Sequence, residues 1–152
     1  MRTLHQMALT SLAVASLMAC GSGDEAPTTA DLAGTWTATK SQYVSTTGIG
    51  TVDIIAAGGS STLVLGTDGS FTFTVTLAGA APLTATGTYA VNGIDELLIT
   101  PSPGGAFFPW AFTLSGTTLH LEANTGNSLI FGYDFDGDGA GDAAHWTADF
   151  TK

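Results

Sequence analysis

Four aspartates occur within nine residues near the carboxyl end of the chain, at positions 134, 136, 138 and 142, and glycines lie between them. Carboxylates at alternate positions let a tightly curled loop aim several oxygens at one hard cation, and Ca²⁺ prefers six to eight oxygen ligands. Aspartate and glycine also favour tight turns, so a solvated acidic turn without a metal is the alternative. The spacing predicts a candidate calcium site.

The segment resembles the calcium loop of EF-hand proteins. The matching positions are the first three acidic ligands, the turn glycine, the residue that offers its backbone carbonyl and the ninth position, which are here Asp134, Asp136, Asp138, Gly139, Ala140 and Asp142. The twelfth position is His145 in place of a bidentate glutamate, and strand-like sequence flanks the loop. The segment is therefore more similar to the isolated Asp-rich calcium loops of extracellular β proteins, and we expect weak affinity for Ca²⁺.

Two histidines and a glutamate lie on predicted strands. His120 and Glu122 share one face of their strand, and His145 lies on the last strand beside the acidic loop. Two histidines could suggest a zinc site, but nothing else in the sequence completes a tetrahedral set of ligands. Exposed or hydrogen-bonded histidines on strands are the favoured interpretation.

Motifs of the common enzyme classes are missing from the sequence: it has no Gly-x-Ser-x-Gly elbow, no P-loop and no His-Glu-x-x-His. Asp95 and Glu96 are adjacent, so on a strand their side chains point to opposite faces and cannot work as a carboxylate pair. We expect a protein that is not an enzyme.

The sequence has 3 Lys+Arg against 13 Asp+Glu, a formal net charge of −10, and only 11% charged residues among its 152. Three basic residues cannot neutralise a phosphate backbone, so nucleic-acid binding is excluded as a function. Contact with anionic lipid through a basic patch is excluded for the same reason. The 20 glycines and the many threonines indicate one domain of short strands and turns.

The first 19 residues have the order of a secretory signal peptide: a charged start at Arg2, an apolar run over residues 7–17, and small residues before Cys20. The apolar run is too short to span a bilayer of about 30 Å. The ending Leu17-Met18-Ala19-Cys20 resembles the lipobox of bacterial lipoproteins, which implies cleavage before Cys20 and lipid attachment to it. Cys20 is the only cysteine in the chain, so it cannot form an internal disulfide.

These features predict three segments: a lipoprotein signal peptide at residues 1–19, a lipidated Cys20 with a flexible tether to residue 30, and a folded domain at 31–152. Gly21, not aspartate, follows the cysteine. By the resemblance to bacterial lipoproteins, this implies an anchor in the outer membrane of the cell envelope more than in the inner membrane.

Alternation of apolar and polar residues dominates the domain and predicts an all-β fold. Glycine-containing turns such as Asp68-Gly69 and Asn92-Gly93 join consecutive strands. Consecutive antiparallel strands avoid exposed edges by closing into an up-and-down barrel of about 8–10 strands, and a two-sheet sandwich is the alternative. The predicted strands are 35–43, 51–57, 61–66, 70–77, 83–91, 94–100, 106–114, 117–123, 128–135 and 143–150.

At the head of the first strand, Gly34-x-Trp36 resembles the amino-terminal motif of lipocalins and of small lipocalin-like bacterial lipoproteins. The resemblance implies a lipocalin-like barrel whose base is closed by the tryptophan. Lipocalins usually place an arginine on the last strand against that tryptophan, and here the only basic residue near the end of the chain is Lys152.

Aromatic residues on the predicted strands could line a cavity for an apolar ligand, or could equally fill the barrel. The candidates for lining such a cavity are Phe71, Phe73, Tyr89, Trp110, Phe112, Phe131 and Tyr133.

The sequence thus predicts a lipid-anchored envelope lipoprotein that binds a small hydrophobic ligand or another envelope component. The alternative is a calcium-stabilised structural or adhesion module without a ligand pocket. A third hypothesis is inhibition of a secreted hydrolase by a loop over residues 104–110. The volume of the barrel interior separates the first two hypotheses.

Overall fold

The structure, a computed structural model, describes residues 25–105, 108–125 and 131–152. These residues form one short helix, α1 (Thr29–Leu32), and nine strands. The strands are β1 (Gly34–Ser45), β2 (Thr51–Asp53), β3 (Ser60–Leu65), β4 (Ser70–Thr76), β5 (Leu83–Asn92), β6 (Glu96–Ser102), β7 (Phe108–Ser115), β8 (Thr118–Asn124) and β9 (Ala144–Thr151). Within the described ranges, none of the helical structure is long and apolar enough to cross a bilayer. The predicted signal peptide and Cys20 lie outside the described residues.

Every strand pair is antiparallel, and the order in the sheet is β2-β1-β3-β4-β5-β6-β7-β8-β9. A further pairing of β1 with β9 closes eight of these strands into a barrel, and β2 lies outside the ring against the end of β1. Closure leaves the eight-stranded ring without a free edge. The predicted all-β, lipocalin-like up-and-down barrel is confirmed, and the sandwich alternative is not.

The strands form where the sequence alternates most regularly. In β4, the apolar residues at 71, 73 and 75 are buried, and the threonines between them lie on the outer face. The turn before β4 is held by the Asp68 carboxylate, which accepts hydrogen bonds from the Ser70 N–H at 2.9 Å and the Ser70 hydroxyl at 2.6 Å. Gly69 supplies the positive φ of 80° that this turn requires.

Strand β1 is long because it pairs with two strands, β3 and β9, and so closes the barrel. Its first residues, 34–37, pair with β3, and residues 37–45 pair with β9. The register shifts between Ala38 and Lys40, which marks an irregularity of the bulge type. Such a bulge bends a strand, and here it accompanies the change of neighbours that closes the barrel.

Two of the predicted strands differ from the structure. The segment predicted at 51–57 is a strand only to Asp53, because the Asp53 carboxylate accepts hydrogen bonds from the N–H groups of Ile55 and Ala56 and turns the chain. The segment predicted at 128–135 is not a strand in its described part, residues 131–135, where only Tyr133 forms an isolated bridge, with Asp142. The apolar residues of that part instead pack against the barrel.

The base of the barrel is closed by α1 and by a tryptophan. Trp36 is fully buried, and its indole N–H donates to the carbonyl of Leu32 at 2.7 Å. The Lys152 ammonium lies 5.0 Å from the centre of the Trp36 ring and donates a hydrogen bond to the Ala33 carbonyl. The φ of Gly34 is 144°, a backbone conformation that favours glycine, and a side chain there would displace the end of the Lys152 side chain. Lys152 thus lies against the tryptophan where the resemblance places an arginine.

The two ends of the barrel differ. The helix α1 precedes the start of β1 and marks the base, and the end of β1 pairs with the start of β9, with Ser45 opposite Ala144. β8 therefore ends, and β9 begins, at the end opposite the base. The described segment 131–143, which leads into β9, contains Asp134, Asp136, Asp138 and Asp142.

Candidate functional site

The Asp loop, residues 134–142, has a braced stem. The Asp142 N–H donates to the Tyr133 carbonyl at 2.9 Å, and the Phe135 N–H donates to the Asp142 carboxylate at 2.8 Å. The Tyr133 ring lies 5.0 Å from that of Phe135 and 6.3 Å from that of Tyr43 on β1. The stem is therefore fastened by backbone bonds and by aromatic contacts with the barrel.

Within the loop, carboxylates accept hydrogen bonds from the loop's own backbone. Asp134 accepts from the N–H of Gly137 at 2.7 Å and of Gly139 at 2.9 Å. Asp136 accepts from the Asp138 N–H at 3.1 Å, and Asp138 accepts from the Ala140 N–H at 2.8 Å. These are the local bonds by which aspartate favours turns, and they curl the chain around its own carboxylates.

The curled loop brings three carboxylates together. One oxygen from each of Asp134, Asp136 and Asp138 lies within 4.8 Å of the others. Oxygens that ligate one Ca²⁺ at 2.3–2.6 Å are at most about 5 Å apart, so these three could share an ion. The backbone N–H of Gly139, and then that of Gly137, hold the pKa of Asp134 below its usual range, so this carboxylate stays ionised in more acidic solution than an ordinary aspartate.

The donor set fits a hard cation that keeps several water ligands. Three carboxylates supply only part of the six to eight oxygens that Ca²⁺ takes, and the chemistry is all oxygen, which disfavours zinc. Among the predicted ligands, Asp142 lies outside this group of three, and its carboxylate accepts the Phe135 N–H at the stem. Ala140 lies in the same loop, where its N–H bonds to Asp138. His145 lies on β9, where its Nδ1 is 3.4 Å from the Asn124 amide oxygen.

The predicted ligand-lining aromatic residues pack against one another inside the barrel. Phe73 stacks on Phe131 with ring centres 6.0 Å apart and meets Trp110 edge-on at 5.9 Å. Trp110 in turn lies 5.2 Å from Trp146. Phe71, Tyr89 and Phe112 are also buried, and Tyr133 is half-buried at the Asp loop.

Little free space remains among these rings. The enclosed cavity bordered by Phe73, Trp110, Phe131 and Trp146 has a volume of about 10 Å³. A ligand pocket for a small molecule needs roughly 300 Å³ or more. Among the described residues, the aromatic set therefore fills this part of the barrel, which is one of the two roles that the sequence left open for it.

Tyr43 and Ser41 belong to this interior and were not singled out in the sequence. Tyr43 is fully buried beside Trp146, with ring centres 6.2 Å apart, and the buried Ser41 hydroxyl accepts the Trp146 indole N–H at 3.1 Å. Ser41 and Tyr43 are two residues apart on β1 and therefore share one face of the strand. This spacing could have identified them as residues of the interior.

The segment proposed as a protruding inhibitory loop is described only in part, since residues 106 and 107 lie outside the described ranges. Phe108 is half-buried with its ring 5.7 Å from Phe131, and Trp110 is buried in the core. Both described rings of this segment therefore contact the barrel interior.

His120 is hydrogen-bonded on the outer face of β8, as the favoured interpretation of this histidine expected. Its Nδ1 lies 2.6 Å from the Asp149 carboxylate, and its Nε2 lies 3.1 Å from the Glu122 carboxylate. Because both ring nitrogens face carboxylates, the imidazole has no free nitrogen for a metal.

No protein-family model matches this sequence, and its comparison with curated proteins gives no significant match.

Proposed function

We propose that the protein is an exported bacterial envelope lipoprotein whose barrel is a structural module stabilised by calcium at the Asp loop. The observation that carries this proposal is the convergence of Asp134, Asp136 and Asp138 in a loop braced against the barrel. The filled interior supports a module without an apolar ligand pocket. Binding of another envelope component remains a prediction from the sequence.

Calcium would act here by removing repulsion between carboxylates. Three negative charges within 4.8 Å of one another oppose the folded geometry of the loop, and a divalent cation would turn that repulsion into attraction. The stem at Tyr133 and Asp142 leads directly into β9, which closes the barrel against β8 and β1. An ion held in the loop would therefore stabilise the connection to the closing strand.

Calcium is expected to bind with a dissociation constant of about 0.1–1 mM, the range of extracellular modules, because no bidentate glutamate completes the site. At free Ca²⁺ ten to a hundred times that constant, linkage predicts a gain of about 1.4–2.7 kcal/mol in the free energy of unfolding. Titration calorimetry and thermal melts of the purified domain, with Mg²⁺ as the comparison ion, would measure both effects.

The matched variants for this experiment are Asp136→Asn and Asp95→Asn. Asparagine at 136 keeps an oxygen that can accept the Asp138 N–H but removes one charge from the cluster, so it should abolish most of the Ca²⁺ effect. Asp95 is an exposed carboxylate outside the loop, and its substitution should leave the effect intact. Absence of heat and of any shift in melting temperature at millimolar Ca²⁺ would rule out the calcium part of the proposal.

The anchor is tested separately. In a bacterial host that processes lipoproteins, Cys20→Ser is expected to lose incorporation of labelled fatty acid and to release the protein from the membrane fraction. Ser22→Ala, two residues away, should remain labelled. Labelling that persists in Cys20→Ser would refute the anchor and leave the calcium proposal untouched, since the Asp loop is more than one hundred residues away in the sequence.

A further inference from the structure

A histidine lies between two carboxylates on the outer face of the barrel, away from the Asp loop. His120 and Glu122 share one face of β8, and Asp149 is the register partner of His120 on β9. The Nδ1–Oδ1 distance to Asp149 is 2.6 Å, and the Nε2–Oε1 distance to Glu122 is 3.1 Å. The side chains are 40–48% exposed, so solvent reaches the cluster without separating its members.

The hydrogen-bonding chemistry of imidazole indicates the charge state of His120 in this arrangement. A neutral imidazole has one N–H donor and one bare nitrogen, whereas an ionised carboxylate can only accept hydrogen bonds. Two carboxylates can both be satisfied only when both ring nitrogens carry protons. The geometry therefore describes an imidazolium that bridges β8 to β9.

We propose that Glu122, His120 and Asp149 form a proton-operated clasp that fastens the closing strand β9 to β8 while His120 is protonated. Loss of the proton would remove the positive charge and leave one ring N–H, which can bond only one of the two carboxylates, while the lone pair of the other nitrogen faces the second. The strand that closes the barrel would then be held less tightly on this face. This inference goes beyond the proposed function and does not depend on calcium.

Other charged groups around the clasp are few. On the far side of Asp149, its register partner on β1 is Lys40, and the register partner of His120 on β7 is the uncharged Thr113. Glu122 also borders an open surface groove, whose other titratable groups are Asp95, Glu96 and His145. The carboxylates of the groove add negative charge to this face, which favours a positive charge on His120.

The direction of the pH dependence follows from the pKa of His120. The hydrogen bond with Asp149, and then that with Glu122, raise this pKa above its ordinary value of 6.5. A group whose pKa is raised on folding adds stability that is complete below the unfolded pKa and is lost as the pH rises through the folded pKa. The clasp therefore stabilises the barrel most in mildly acidic solution and weakens at higher pH.

The experiment combines NMR titration with thermal melts of the calcium-free domain from about pH 5 to 9. The pKa of His120, followed by its ring proton resonance, is expected to lie above 6.5. Asp149→Asn should lower that pKa more than Glu122→Gln, because the contact with Asp149 is the shorter one. The wild type should melt above His120→Gln at low pH, and this difference should shrink as His120 deprotonates.

His145→Gln is the matched control, because His145 lies on the adjacent strand and faces the Asn124 amide oxygen instead of a carboxylate. The melting temperature of His145→Gln should depend on pH in the same way as that of the wild type. The proposal is overturned if the His120 pKa is unchanged in both Asp149→Asn and Glu122→Gln. It is also overturned if the difference in melting temperature between wild type and His120→Gln is the same at every pH.

Discussion

Replacement of Trp146 by alanine is expected to lower the free energy of unfolding by about 3–5 kcal/mol. The Trp146 side chain is only 2% exposed, and its ring lies 5.2 Å from that of Trp110 and 5.6 Å from that of Phe73. Its indole N–H also bonds the buried Ser41 hydroxyl, so alanine removes a partner from a polar group in the core. Chemical denaturation monitored by circular dichroism would measure the loss.

The same substitution tests whether the barrel is filled. Trp146→Ala should open an apolar cavity of the kind that stays dry and binds benzene or xenon, whereas the wild-type interior should bind neither. Thr147→Ala, on the outer face of the same strand, should stay within about 0.5 kcal/mol of wild type. Trp146→Phe keeps an aromatic ring and should remain folded if the alanine variant does not. Tight binding of an apolar probe by the wild type would revive the ligand-pocket hypothesis.

The barrel could be predicted from sequence because its strands alternate cleanly. In β4 and β8 every second residue is buried, and glycine-containing turns mark the tight hairpins. Alternation does not show which part of the chain packs against a given apolar face. In the segment 131–135, Phe131 packs against core rings although the segment does not form a strand of the sheet. At Asp53 the strand ends because the Asp53 carboxylate accepts hydrogen bonds from two N–H groups that follow it.

Part of the candidate site could also be predicted from the sequence, because it depends on local spacing. The spacing of Asp134, Asp136 and Asp138 specifies a curled loop almost by itself, since each carboxylate bonds a backbone N–H two to five residues ahead. Asp142 was expected to be a fourth ligand. Its role depends on where the loop re-enters the barrel, and there its carboxylate meets the Phe135 N–H instead. Spacing along the chain predicts local bonds well, but not the path on which a loop returns.

The clasp at His120 shows the same limit across strands. Sequence placed His120 and Glu122 on one strand face, but Asp149 lies 29 residues away and becomes a neighbour only through the register of β8 with β9. That register follows from barrel closure, which no local pattern specifies. Two carboxylate partners for His120 can therefore be inferred from the paired strands, but not from the sequence alone.

Replacement of Trp36 by alanine is expected to cost about 3–5 kcal/mol and to loosen the base of the barrel. Trp36 is fully buried, and its indole N–H holds the Leu32 carbonyl, so its loss frees α1 from the start of β1. Faster hydrogen exchange is therefore expected at the backbone N–H of Ala33, which bonds the Thr29 carbonyl. Thr35→Ala, on the exposed face beside it, is the matched control and should change stability by no more than about 0.5 kcal/mol.

A double-mutant cycle between Trp36 and Lys152 would separate lost packing from the contact that closes the base. The ammonium lies 5.0 Å from the ring centre, and a cation over an aromatic face at an exposed site contributes about 0.5–1 kcal/mol. Lys152→Met alone should therefore cost at least this amount, because the ammonium also donates a hydrogen bond to the Ala33 carbonyl. Only the part of the cost that depends on the ring should vanish when Trp36 is already leucine. Lys152→Arg should retain most of the coupling, because a guanidinium can occupy the same face of the ring. A coupling energy of zero would mean that the base is closed by packing alone, and that Lys152 does not take the part of the arginine found in lipocalins.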